Sequence, residues 1–275
     1  SRKKAQYHTP SKGGFKSKFL TTLNGYRSIL AFSFCAIIFF ISFIFPVMQM
    51  LYWTIIFPKH LSDLNIFSLF LNTILLVLLS SIVLISFAFI SNYGNRVSRS
   101  KTLQWLTTFS VSGYAIPGII LAVAFITFIS WFDNNVIKFF GFDTIKSIFI
   151  GSIFGLVVVY FVRFYSLASN GIKSGYLKIN YSIDESAYLL GYSKFKTFKN
   201  IHIPYLKNSI FLIGILIAIE IIKELPITLI MRPFNFETFA TTAYIFASQD
   251  LLEAAAAPSL FLILIASFFI LITSK

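Results

Sequence analysis

Four ionisable residues whose types could bind or steer a charged solute lie in or beside long apolar segments: Arg163, Glu220, Lys223 and Glu224. An ionisable group inside a membrane span costs about 2.5–3.5 kcal/mol to insert, so it normally faces protein or water. If a helix continues past Glu220, Glu224 shares its face at i+4 and Lys223 lies beside it at i+3. Pro226 is expected to kink or end that helix and to free backbone carbonyl groups beside the carboxylates.

This charged group allows two interpretations. In the first, the residues form a salt-bridge cluster that fixes one span to its neighbour. In the second, Glu220 and Glu224 line a translocation path and offer oxygen ligands, which suit hard metals, to a passing trivalent cation. A path must release what it binds, so that coordination would be transient and incomplete.

The sequence offers no set of residues for catalysis or for holding a cofactor. No Ser/His/Asp or Cys/His set is apparent, and His8, His60 and His202 are too scattered to form a metal site. No Walker motif occurs, and the stretch from Gly113 to Gly118 lacks the Lys-Ser/Thr pair of a phosphate loop. We therefore expect a chain that is not an enzyme and binds no cofactor, and we interpret the glycine stretch as a kink inside a span.

The elements that must hold these residues are transmembrane helices. The 275 residues are 57% hydrophobic and only 12% charged, whereas about a quarter of the residues in soluble domains are charged. A bilayer core takes about 20 apolar residues of helix. Six segments fit this length and predict an all-α integral membrane protein: Ile29 to Phe57, Phe67 to Ile90, Leu106 to Trp131, Ile148 to Ala168, Ser209 to Ile222 and Pro258 to Thr273.

The basic residues predict how the spans are oriented. The net charge of +13 does not indicate nucleic-acid binding, because the basic residues lie in short segments between apolar ones. Lys and Arg are concentrated in residues 1–27, in 91–105 and in the long loop 169–208, all on one side of the predicted membrane. The positive-inside rule therefore places that loop and both termini in the cytoplasm.

The long loop has the pattern of two short helices joined by a tight turn. Ser182 and Glu185 have capping-box spacing, which predicts a helix that starts at Ser182. Gly191 can take the left-handed conformation that ends this helix. Ser193 can cap a second helix through residue 199, before Pro204 redirects the chain into the fifth span. The alternative is a solvated loop that lies on the lipid headgroups.

This loop resembles the signature of ABC importer permeases, the inner-membrane components of binding-protein-dependent transport. That signature runs E-A-A, three residues, G, nine residues and I-x-L-P. The matching positions are Glu185, Ala187, Gly191, Ile201, Ile203 and Pro204, with Ser186 in place of the first alanine and isoleucine in place of the leucine. The resemblance implies a type I ABC importer permease fold, in which this coupling loop seats on an ATPase dimer that uses the ATP. It also implies that Glu185, Ala187 and Gly191 belong to that contact.

Other segments resemble the ferric iron branch of these permeases, namely residues 113–118, 160–164, 223–229 and 232–238. Permeases of that branch often join two homologous six-helix halves, so the resemblance implies a C-terminal half: residues 1–27 are a basic cytoplasmic linker and 28–275 the permease domain. It implies a location in the bacterial inner membrane and three partners: a homologous half, the ATPase dimer and a periplasmic or lipoprotein binding protein. We expect ferric iron import. Thiamine or polyamine import, and an ATP-independent channel or secondary carrier, stay open.

Overall fold

A computed structural model describes residues 23–98, 100–140 and 149–273, so most of the predicted linker 1–27 lies outside the described residues. The chain divides into two compact units, residues 1–48 and 49–275. In the described residues the helices are α1 (Tyr26–Ile56), α2 (Pro58–Ser62), α3 (Ile66–Ser98), α4 (Lys101–Ser110), α5 (Gly118–Phe140), α6 (Ile153–Tyr176), α7 (Tyr181–Leu189), α8 (Lys194–Ile222), α9 (Pro226–Met231), α10 (Phe239–Ser248) and α11 (Leu252–Thr273).

Six helices within the described ranges are long and apolar enough to cross a membrane: α1, α3, α5, α6, α8 and α11. This confirms the all-α class and the number of spans predicted from the sequence. In the second unit, α3, α6 and α8 supply much of the core, with Leu84, Tyr160 and Ile217 buried. Polar contacts also join these helices, since the Ser91 and Tyr165 hydroxyl groups lie 2.6 Å apart between α3 and α6. Hydrogen bonds between helices help membrane helices to associate, because lipid surroundings provide no hydrophobic driving force for their association.

The predicted third span from Leu106 to Trp131 is wrong as a single helix. Helix α4 begins at Lys101, with the Ser100 hydroxyl accepting from the Leu103 amide, and ends before a 3₁₀ turn at Val111–Ala115. Ile116 is extended, as a residue before proline prefers, and α5 begins at Gly118. Pro117 therefore separates two helices where a kink was expected.

The fifth span also differs from the prediction, because it begins at Lys194 and passes through Pro204 without a break. A π-helical turn over Phe198–His202 comes immediately before this proline. In an α-helix the ring of Pro204 would clash with the carbonyl group of residue 200. The wider π turn, a common local adjustment, explains how the helix continues past the proline where we predicted a change of direction.

Candidate functional site

The predicted helix in the long loop forms, but it is capped differently. Helix α7 begins at Tyr181, and the Asn180 side chain caps it by accepting a hydrogen bond from the Ser182 amide at 3.3 Å. Ser182 is therefore inside the first turn, and the expected capping box with Glu185 is wrong. Asn is as good an N-cap as Ser, and here it starts the helix two residues earlier than predicted.

The turn after α7 is the one that the sequence predicts. Gly191 has φ of +80°, the Gly191 amide donates to the Tyr188 carbonyl at 3.0 Å, and the Tyr192 amide donates to the Ala187 carbonyl at 3.0 Å. This pair of bonds defines a Schellman motif. Ser193 then caps α8 by accepting from the Lys196 amide at 3.2 Å, so both the turn and the second cap are confirmed.

The outer surface of this element is rich in exposed apolar side chains. Leu189, Leu190 and Phe195 are 89%, 78% and 73% exposed, and Glu185 is also exposed. We call this set the outer face. An exposed group of large apolar side chains around a carboxylate is typical of a protein contact surface.

A groove of about 400 Å³ lies between α7 and the first turns of α8. Its lining includes Ser186, Ala187, Leu190, Tyr192 and Ile201. Among the signature positions, Ala187 is buried and lines this groove together with Ile201, whereas Ile203 and Pro204 are exposed on α8. The loop signature thus contributes both an outer face and a concave surface.

The inner side of α7 carries a buried charged junction that the sequence analysis missed. Asp184 lies 2.6 Å from Nε of Arg96 and 2.9 Å from Nε2 of His202, and these three side chains are 10%, 6% and 0% exposed. From the sequence, Arg96 is one of the basic residues in 91–105 that indicate orientation, and His202 was considered only as a possible metal ligand. Arg96 and Asp184 are 88 positions apart, so no local spacing could have revealed the junction.

The charged group near the end of α8 is brought together only in part. Lys223 pairs with Glu220 at 2.8 Å, as the spacing predicted. Helix α8 ends at Ile222, however, so Glu224 does not share a helical face with Glu220. Pro226 instead opens α9, and Oε1 of Glu224 accepts from the Ile227 amide at 3.5 Å.

Glu224 lies against the start of α5. A Cβ atom added at Gly118 would meet Oε1 of Glu224 at 2.7 Å, so a larger residue at this position would require the carboxylate to move. Burial raises the pKa of the Glu224 carboxyl above its ordinary value, opposed by the Ile227 hydrogen bond and by the positive charge of Arg163. The break between α8 and α9 thus holds a partly buried carboxylate beside a second break, between α4 and α5.

Arg163 serves that second break directly. Its guanidinium group donates to the carbonyl oxygens of Ile116 and Tyr114 and stacks over the Tyr114 ring at 5.4 Å. These carbonyls lie where the helix is interrupted, so they lack helical partners. Arg163 therefore ties α6 to the α4–α5 break and is not paired in a salt bridge with either glutamate, which corrects the salt-bridge interpretation for this residue.

Within the described ranges, no group of three or more His, Cys, Asp or Glu side chains is placed to hold a metal ion. Glu220 and Glu224, the two candidate oxygen ligands, are each engaged by a neighbour in the chain, Lys223 and Ile227. Among the described residues, the two glutamates therefore do not form part of a closed metal centre.

Comparison with known proteins finds similarity to a curated sequence and to solved structures. No family model matches the chain. The Fe(3+)-transport system permease protein FbpB 2 of Haemophilus influenzae is 22% identical, over 99% of this chain and 52% of that protein. The chain therefore spans about half the length of the curated relative that it matches.

The similar structures are bacterial ABC transporters. One is an alginate ABC transporter in complex with an alginate pentasaccharide-bound periplasmic protein, with a TM-score of 0.69, 17% identity and coverage of 89% of this chain and 92% of that chain. The other is an ABC transporter involved in the import of the acidic polysaccharide alginate, with a TM-score of 0.67, 18% identity and coverage of 90% and 93%. At these identities the likeness establishes the fold, which is that of an ABC importer permease.

Proposed function

We propose that this chain, which has the fold of ABC importer permeases, forms one membrane-spanning half of an ATP-driven importer for ferric iron. The chain is a transport component and not an enzyme. In this proposal ATP is used by a partner ATPase dimer, and the chain itself binds no cofactor. A homologous permease half completes the path, and a periplasmic or lipoprotein binding protein delivers the cargo.

The observation that carries the ATPase partner is the element around Gly191. Its outer face presents Glu185 and three large apolar side chains, beside a groove of about 400 Å³. A surface of this kind suits a protein partner that inserts side chains into the groove and covers the exposed leucines. The match to the permease signature supports the same partner.

Two observations support ferric iron as the cargo. The similar sequence from Haemophilus influenzae is an Fe(3+)-transport permease. In this chain, Glu224 lies between α8 and α9 and beside the break between α4 and α5, which Arg163 also contacts. Carboxylate oxygen suits a hard trivalent cation. We propose that Glu224, with Glu220, contacts the cargo transiently, and that Lys223 and Arg163 keep the passage from holding it too tightly.

The proposal places the chain in a bacterial inner membrane, with both termini and the 169–208 loop in the cytoplasm. Residues 1–27 are its basic linker to the other half. The charge distribution supports this orientation, because the basic segments 1–27, 91–105 and 169–208 all fall on the same predicted side of the membrane.

The test is uptake of radiolabelled ferric iron by proteoliposomes that contain the full-length parent protein, its ATPase and its binding protein. The variants are Glu220→Gln, Glu224→Gln and the double change, with exposed Asp63→Asn as the matched carboxylate control. We expect ATP-dependent uptake that Glu224→Gln reduces about tenfold or more, the effect of losing one well-placed charged contact, and that Asp63→Asn leaves unchanged.

Other outcomes are equally informative. Iron uptake that is indifferent to both glutamates would make them structural residues. ATP-dependent uptake of labelled thiamine or a polyamine, without iron uptake, would reassign the cargo. Uptake that needs neither ATP nor the ATPase would show a channel or secondary carrier and would overturn the importer proposal.

A further inference from the structure

Helix α7 has two faces with opposite chemistry. Glu185 and Leu189 are exposed on the outer face, whereas Asp184 and Ala187, one turn apart, are buried on the inner side. A partner protein seated on the outer face reaches Glu185 and Leu189, whereas Asp184 lies on the buried side. A force on α7 therefore reaches the membrane helices through its buried contacts and through the chain that joins it to α6 and α8.

The inner face meets two other helices at Asp184. Arg96 lies near the end of α3, and His202 lies in the π turn of α8. Arg96 also donates to the Asn180 carbonyl at 3.1 Å and to the Tyr176 carbonyl at 3.5 Å. A single guanidinium group thus holds the carboxylate of α7, the residue that caps α7 and the last turn of α6.

A second set of contacts joins α3 to α8 beside this junction. The Tyr93 hydroxyl donates to the Lys194 carbonyl at 2.6 Å, and the Tyr93 ring lies 4.7 Å from that of Phe198 and 5.2 Å from that of His202. The helix ends around Asp184 are therefore packed on one another as well as on α7.

From this geometry we propose that Asp184 is the positioning residue that pins α7 to the ends of α3 and α8, so that a displacement of the outer face moves these helix ends as one body. A buried carboxylate with a guanidinium partner is costly to separate, so its partners follow it when it moves. The role rests on the proposed function, since it requires an ATPase that moves α7. It assigns transmission to Arg96, Asp184 and His202, none of which lies on the outer face.

The principal variant is Asp184→Asn, which keeps the shape of the side chain and removes its charge. The measured quantity is the number of substrate ions imported for each ATP hydrolysed by the full complex in proteoliposomes. We expect the ATPase to remain bound, because the outer face is intact, and ATP hydrolysis to continue. Imported substrate per ATP should fall about tenfold, within the range of typical coupling energies. Exposed Asp63→Asn, as the matched control, should keep the wild-type ratio, and Asp184→Glu should recover part of it.

A wild-type ratio in Asp184→Asn would overturn the proposal. Loss of the ATPase in parallel with loss of transport would also overturn it, since the residue would then serve docking and not transmission. If Asp184→Asn does not fold, Arg96→Lys takes its place, because lysine keeps the positive charge but loses the forked contacts to residues 176 and 180. The number of ions imported per ATP should again be several-fold lower. An unchanged ratio would contradict the proposed role of the Asp184 contacts.

The two proposals fail in different ways. If the wild-type complex shows no ATP-dependent uptake, the importer function fails, and the junction is read from amide hydrogen exchange of the purified full-length protein. Asp184→Asn should then speed exchange in α7 and the first turns of α8 while leaving α11 as in the wild type. Unchanged exchange in α7 would overturn the junction itself.

Discussion

Gly191 acts through its backbone and not through its contacts. Its φ of +80° lies in the left-handed region, and nothing lies within 4 Å of the position that a Cβ atom would occupy. A substitution at this position therefore tests backbone conformation without introducing a clash. Left-handed conformation costs an ordinary residue about 1–2 kcal/mol, and asparagine less.

We expect Gly191→Val to loosen the turn between α7 and α8 by about 1–2 kcal/mol and to abolish ATP-dependent transport. Gly191→Asn, the matched control, should retain most of the transport. Amide exchange over residues 181–199 measures the first effect, and proteoliposome uptake measures the second. Equal behaviour of the two variants would show that the left-handed turn is not required.

Glu224 is governed by burial. Its raised pKa means that the neutral acid is favoured in the folded protein, so the stabilisation from that form is present at low pH and lost as the pH rises through the folded pKa. Above the folded pKa, the ionised carboxylate opposes folding. Glutamine cannot ionise and still offers an oxygen to the Ile227 amide.

Glu224→Gln should therefore melt at a higher temperature than the wild type at about pH 8, and the difference should shrink toward about pH 4, below the ordinary pKa of a glutamate carboxyl group. Thermal unfolding in detergent at both pH values measures this. A variant that is more stable yet transports less would separate a functional role of the carboxylate from a structural one. A melting temperature below that of the wild type at pH 8 would contradict the burial argument.

The break between α4 and α5 packs closely against the backbone of α6. A Cβ atom added at Gly113 would lie 2.2 Å from the Val162 carbonyl oxygen in α6, a contact that only movement of the backbone could relieve. Arg163, the next residue of α6, donates to the carbonyls of the same break. Two adjacent residues of α6 thus hold the 3₁₀ turn in place.

Gly113→Ala should destabilise the protein by about 1–3 kcal/mol, as overpacking usually does. Ser112→Ala is the matched control, because Ser112 is exposed and its hydroxyl donates only to the Phe109 carbonyl one turn earlier. We expect that control to stay within about 0.5 kcal/mol of the wild type. Thermal or denaturant unfolding in detergent compares them, and equal stability of the two variants would exclude the close approach.

At the level of the whole molecule, the basic segments predict the orientation in the membrane. Lys199 lies in the predicted cytoplasmic loop 169–208, and Asp63 lies between α2 and α3. Both side chains are exposed, and the predicted topology puts them on opposite sides of the membrane. The chain has a single cysteine, Cys35, so labelling sites can be introduced after one replacement.

In a Cys35→Ser background, we expect a membrane-impermeant maleimide to label Asp63→Cys in intact spheroplasts and to label Lys199→Cys only after the membrane is opened. Mass shift on a gel measures the labelled fraction. The reverse pattern would invert the predicted topology and would place the 169–208 loop out of reach of a cytoplasmic ATPase.

The membrane class, the number of spans and the turn at Gly191 could all be predicted from the amino-acid sequence. These features are local: an apolar run of about 20 residues crosses a bilayer wherever it lies in the chain, and Gly191 and Ser193 act on amides and carbonyls a few residues away. The errors were also local and have local causes. Asn180 captured the cap expected of Ser182, Pro117 separated two helices, and a π turn allowed α8 to pass Pro204.

The contacts between charged residues could be seen only in the three-dimensional structure. Arg96, Asp184 and His202 come from three helices, and Glu224 lies against Gly118, a hundred residues earlier in the sequence. In a soluble protein an apolar stripe would have indicated which faces pack together. Membrane helices are apolar on every side and associate through close packing and polar contacts, so their sequences do not show which faces meet. The residues that join α7 to the membrane helices therefore could be identified only from the three-dimensional structure.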